Sequence, residues 1–199
     1  MGVRIELILG THGFAITQTD RKMLANSVDS LTVLEIPANY SLGKGYNLLI
    51  SRCTSNYIAK FDDDDCYGPL FLCNSAQTIE ANDAAASGVK QALFKFDNDP
   101  TFYLRGSSIC TQFTNSVLGA SLCFRKDVFP TIQFADRSSG EDSLFLSELL
   151  ANGYRLIAIP SSQFYVNRGS EMTHSWKVLK ETITTHAISS HATMGDSTT

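Results

Sequence analysis

The chain is 199 residues long, with 43% hydrophobic and 10% aromatic side chains, enough to bury a single core of ordinary domain size. Its 16 basic and 20 acidic residues leave a formal net charge of -4, and the basic residues form no cluster. That excludes nucleic acid as the main partner, because binding a phosphate backbone needs concentrated Lys and Arg. No apolar run approaches the roughly 20 residues that cross a bilayer, and the start lacks the pattern of a secretory signal, so the expectation is a cytoplasmic protein without a transmembrane segment. Cys53, Cys66, Cys73, Cys110 and Cys123 are odd in number and lack C-x-x-C spacing, which suits reduced thiols.

In chain order, "RIELILG" (4–10) and "SLTVLEIPA" (30–38) read as strands rich in branched apolar residues, with "DRKMLANSV" as a helix between them. "GYNLLISRCTS" (45–55) has near-helical apolar spacing, "NYIAKF" (56–61) is the next strand, and "PLFLCNSAQTIEAN" (69–82) another helix. Such alternation predicts an α/β fold with a mostly parallel sheet flanked by helices. "SGVKQALFKF", "TFYLRG" and "LGASLCFR" read as further strands, "GEDSLFLSELLANGY" (140–154) as a helix with acids in its first turn, and "RLIAIP" as a strand. Residues 1–180 form one expected domain, and 181–199, small and polar at the end, a flexible tail.

The stretch "NYIAKFDDDDCYGP" (56–69) sets four aspartates in a row directly after an apolar strand. Two unit charges about 4 Å apart repel by roughly 4 kcal/mol at an effective dielectric near 20, so something positive is expected among them. The C-terminal edge of a parallel sheet is where open α/β folds bind ligands, and strand alternation lets Asp62 and Asp64 share a face toward a hard cation such as Mg²⁺, Mn²⁺ or Ca²⁺. The plainer alternative is a solvated acidic turn.

Here the sequence resembles a family. "SLGKGYNLLISRCTSNYIAKFDDDDCYGPLFL" (41–72) is similar to the donor-site core of the GT-A glycosyltransferases of the family-2 type, with Gly43 and Asn47 matching its first half and Asp62, Asp64 and Asp65 its DXD motif. "SSGEDSLFL" resembles the acidic motif whose carboxylate serves as catalytic base, and "EMTHSWKV" (171–178) the His-x-Trp segment near the metal and diphosphate. The resemblance implies a Rossmann-like GT-A domain and a metal-dependent, inverting, hexosyltransferase-like enzyme. It would move a sugar from a nucleotide-sugar donor, a UDP-sugar, to an acceptor hydroxyl on a carbohydrate or other molecule.

On this reading Asp64 and Asp65 hold Mn²⁺ or Mg²⁺, Asp62 sits nearer the ribose and metal-bound water, and Asp142 is the general base with Glu141 as alternate. His174 is a third metal ligand or a diphosphate contact, and Gly43, Asn47 and Lys90 complete the donor site. Each has a structural alternative: first-turn acids favoured by the helix dipole, a surface histidine packed on Trp176, a solvated lysine. A sugar-nucleotide synthase would need a basic glycine-rich loop that "GTHGFAIT" lacks.

The resemblance departs at the beginning. The family opens with a strand, a tight turn and a helix before the strand that "RIELILG" resembles, and its second strand ends in an Asp-rich turn where this chain has Gly10, Thr11, His12 and Gly13. The expectation is an N-terminally shortened domain with an unfilled sheet position, associating with a second copy or a partner domain through that edge. The competing function is a nucleotide-sugar-binding or regulatory module without turnover.

Overall fold

The computed structural model describes residues 3–97, 99–106, 110–168, 180–185 and 187–191. Strand β1 (Glu6–Thr11) leads to helix α1 (Gln18–Ser27), whose Thr17 cap accepts from Asp20 N, and then to β2 (Ser30–Glu35). Helix α2 (Leu42–Ile50) is capped by Ser41 on Lys44 N and precedes β3 (Tyr57–Ala59), which ends at the aspartate run. The two-residue β4 (Cys66–Tyr67) leads to α3 (Phe71–Ala81). Next come β5 (Ala86–Val89), β6 (Gln91–Phe96), β7 (Thr101–Gly106), β8 (Gln112–Thr114) and β9 (Cys123–Arg125). Helix α4 (Glu141–Ala151), β10 (Leu156–Ile159), β11 (Phe164–Arg168), α5 (Lys180–Thr184) and β12 (Ile188–His191) complete the order.

These strands form three sheets among the described residues: β1-β2, then β3-β9-β5-β10-β8, then β12-β7-β6-β11-β4. The pairs that helical crossovers predict are parallel, namely β1 with β2, β5 with β10 and β6 with β11. Pairs such as β6 with β7, joined by a short turn, and β9, which slots between β3 and β5, are antiparallel. The sheets are therefore mixed rather than mostly parallel. The run read as one strand over 87–96 divides at Lys90 between two sheets, and 188–191, inside the expected tail, pair with β7. The outer edges of β1 and β3 pair with no other strand among the described residues. A carboxylate joins the two units: Glu6 accepts from the main chain and hydroxyl groups of Thr54 and Ser55, just before β3.

One core cluster lies under α4, where Phe145 stacks on Phe134 at 4.3 Å and meets Phe124 at 5.0 Å; a second centres on Phe71, Phe94 and Phe164. Among the described residues, no helix is long and apolar enough to cross a membrane.

Candidate active site

The chain leaves β3 into Lys60 and Asp62, whose side chains meet just past the strand's C-terminal end. The Lys60 side chain is buried, 6% exposed, and its ammonium lies 2.7 Å from Asp62 Oδ1 and 3.4 Å from Asp142 Oδ2. It also stands 5.2 Å from the centroid of the Tyr46 ring on α2. Burial alone would push this ammonium down; Asp62, Tyr46 and Asp142 outweigh it and hold Lys60 charged, above the ordinary lysine range. The positive group expected among the aspartates thus comes from the residue that follows the strand.

Asp142 arrives from the other half of the chain. Gly140, at φ 74°, makes the left-handed turn that starts α4 and places Glu141 and Asp142 in its first turn. Glu141 is buried at 5% exposure, whereas Asp142 faces Lys60. Burial pushes the Asp142 carboxyl up to about 6, with Lys60 opposing and Glu141 and Asp62 adding to the rise. Its Oδ1 is buried with no hydrogen-bond partner in the structure. A partly exposed carboxylate, ionised at neutral pH yet basic for its type, is suited to taking a proton.

The remaining aspartates point elsewhere. Asp65 Oδ1 accepts from Asn167 N at 3.1 Å, and burial, with Asp62 and Asp64 nearby, pushes its carboxyl up to about 7. Asp63 and Asp64 are exposed. No group of three or more His, Cys, Asp or Glu side chains gathers in metal-binding geometry among the described residues, and His174 and Trp176 lie outside them. The oxygen donors still suit a hard divalent cation, and the crowding around Asp65 is the kind such a charge relieves.

Gly43 and Asn47 both bear on the segment before α4. The Asn47 amide donates to Phe134 O at 2.8 Å and accepts from Phe134 N at 2.9 Å. A Cβ on Gly43 would overlap the Ala135 carbonyl oxygen, and Gly43 N donates to Arg137 O. Together they clamp residues 134–137, the segment leading into α4. Lys90 is half-buried where β5 gives way to β6, and His12 is exposed, with Nε2 3.4 Å from Ala38 O.

Sequence reasoning did not single out Lys60 or Tyr67. The Tyr67 hydroxyl accepts from Asp62 N at 2.9 Å and donates to Ala120 O at 2.7 Å, fixing the aspartate run to the turn before β9. The i, i+2 spacing of Lys60 and Asp62 carried the first signal; the second contact spans 53 positions and left none.

Residues 17–135 match the family described as "Glycosyl transferase family 2". No curated protein sequence matches the chain. Among solved structures it is similar to S. aureus TarS 1-349 in complex with UDP-GlcNAc, at 19% identity and TM-score 0.65, over 87% of this chain and 52% of that one. It is also similar to a second structure of S. aureus TarS 1-349 (17% identity, TM-score 0.61, 81% and 51% covered) and to S. aureus TarS (17%, 0.60, 83% and 31%). The chain thus spans about half the length of the TarS 1-349 structures, and the likeness shows a shared GT-A-like fold.

Proposed function

The chain belongs to glycosyl transferase family 2, and from that premise we propose that it moves a sugar from a nucleotide-sugar donor, a UDP-sugar, to an acceptor hydroxyl with inversion at the anomeric carbon. The observation that carries this reading is the meeting of Asp62 and Asp142, from opposite halves of the chain, on the single ammonium of Lys60. A donor-side and an acceptor-side carboxylate would have to face one reaction centre, and the approach of both aspartates to one ammonium supports that assignment.

In this reading the acceptor hydroxyl gives its proton to Asp142 as its oxygen bonds to the anomeric carbon, while the bond to the diphosphate breaks on the opposite face. Lys60 keeps Asp142 ionised and oriented between turnovers. Asp62 meets the ribose side of the donor, and Lys90 is assigned to the diphosphate. Asp64 and Asp65, with His174, are the residues that would hold Mn²⁺ or Mg²⁺, whose bound charge would supply Lewis-acid stabilisation of the departing diphosphate. What supports the cation is the oxygen chemistry of these side chains and the raised Asp65 carboxyl.

The test is transfer and donor hydrolysis with a panel of UDP-sugars and Mn²⁺, wild type against Asp142→Asn. General-base catalysis contributes about 10²- to 10⁴-fold, so the variant should lose turnover by that amount while donor affinity measured by calorimetry stays within threefold. Turnover within threefold of wild type would remove Asp142 from the role and bring Glu141 forward.

The unpaired outer edges of β1 and β3 favour a second reading, a nucleotide-sugar-binding module that works only with a partner strand or a second copy added at that edge. Donor binding without hydrolysis, together with concentration-dependent light scattering, would select it over the enzyme.

A further inference from the structure

The turn at Gly119–Ser121 sits on the end of β5: Leu118 N donates to Val89 O at 2.9 Å, and Ser121 Oγ accepts from Val89 N at 2.8 Å. A Cβ built on Gly119 would stand 2.7 Å from Asp142 Cβ and would overlap the carboxylate carbon and Oδ2 outright. The φ of Gly119 lies outside the left-handed region, so its backbone would accept any residue. What the position requires is empty space, and the Asp142 carboxylate fills it. The next residue, Ala120, holds the Tyr67 hydroxyl that in turn holds Asp62 N. One turn therefore bears on the Asp142 carboxylate directly and on the Asp62 main chain through Tyr67.

We propose that Gly119 is a positioning residue: the side chain it lacks is the seat of the Asp142 carboxylate, and the turn it opens holds that carboxylate in register with Asp62. The inference rests on the reading of Asp142 as general base. A methyl group at 119 displaces the carboxylate by about a methyl radius, and misplacement of a reacting group by about 1 Å can lower a rate by about 10²-fold. Donor binding rests on Asp62, which the turn reaches only through Ala120 O and the Tyr67 hydroxyl and not through residue 119, so it should change little.

The test pairs Gly119→Ala with the same substitution in an Asp142→Gly background, which removes every Asp142 atom that a Cβ at 119 would meet. In the wild-type background Gly119→Ala should lower the thermal midpoint and cut kcat by about 10²-fold, with the donor KM within twofold. In the Asp142→Gly background the Cβ, carboxylate carbon and Oδ2 that a methyl at 119 would overlap are all gone, so the added methyl should leave the midpoint of that background unchanged or raise it. An equal drop in both backgrounds, or kcat within threefold of wild type in Gly119→Ala, overturns the proposal. If Gly119→Ala does not fold, recovery of folding in the double variant supports the seat, and failure of both overturns it. Asp142→Asn measured alongside separates the two readings: an active Asn variant removes Asp142 as base, while thermal coupling between 119 and 142 still supports the seat.

Discussion

Lys60 and Asp142 form an ion pair, Nζ to Oδ2 at 3.4 Å, that ties the end of the aspartate-bearing strand to the first turn of α4. Because the same ammonium lies 2.7 Å from Asp62, its removal leaves two carboxylates facing each other without a counter-charge. Breaking a fully buried pair costs about 3–5 kcal/mol, but Asp62 and Asp142 are 31% and 21% exposed, so Lys60→Met should destabilise by about 2 kcal/mol. Urea unfolding measures this, and a loss below about 0.5 kcal/mol would mean that water already screens the pair.

The pH dependence has a definite sign. A base must be deprotonated to act, so kcat should rise with pH through about 6, the value to which burial lifts Asp142 against Lys60 and with Glu141 and Asp62. Stability runs the other way. A carboxyl raised in the folded state contributes fully below its unfolded value near 4 and loses that contribution as pH rises through about 6. Between those limits activity and thermal midpoint should move in opposite directions, and Asp142→Asn should flatten this group's part of the stability curve. A midpoint independent of Asp142 across that window would contradict the assignment.

Asn47→Ala should act on stability before it acts on donor binding. It strands both main-chain groups of Phe134, a loss of about 1–3 kcal/mol, and loosens the segment that leads to α4. A variant of wild-type stability with weakened donor affinity would return Asn47 to the donor site.

Cation binding can be checked directly. Calorimetry with Mn²⁺ should show weaker binding to an Asp64→Ala, Asp65→Ala double variant than to wild type, and equal affinities would place the ion elsewhere or nowhere.

The first half of the fold was legible because β1, α1, β2, α2, β3 and α3 each carry the period of their own geometry within one short stretch. The division at Lys90 was not, since nothing local says that Val89 belongs to one sheet and Gln91 to another. β4, with two residues, is too short to show a period. The same contrast holds at the site. The aspartate run and the Glu141-Asp142 pair announce themselves by composition, whereas the work of Asn47 depends on a partner 87 positions away. Gly119 reads as part of a strand over 118–125, whereas the structure turns the chain at Gly119–Ser121 and sets the Asp142 side chain beside it.

The attachment of β1 and β2 through Glu6 bears on how the protein breathes. That two-stranded parallel unit carries a helix with no buried residue, so its apolar hold on the rest comes from the β1 face that packs on Leu49 of α2. Partial burial pushes the Glu6 carboxyl up, but hydrogen bonds from Thr54 and Ser55 outweigh it and hold it below the usual range, so this latch is strongest above that range and releases as acid protonates it. Its amides should exchange with solvent deuterium well before those of β5 and β10, and faster still in mild acid. The carboxylates gathered around Lys60 lie outside that unit, so releasing the latch should loosen one end of the molecule before its centre.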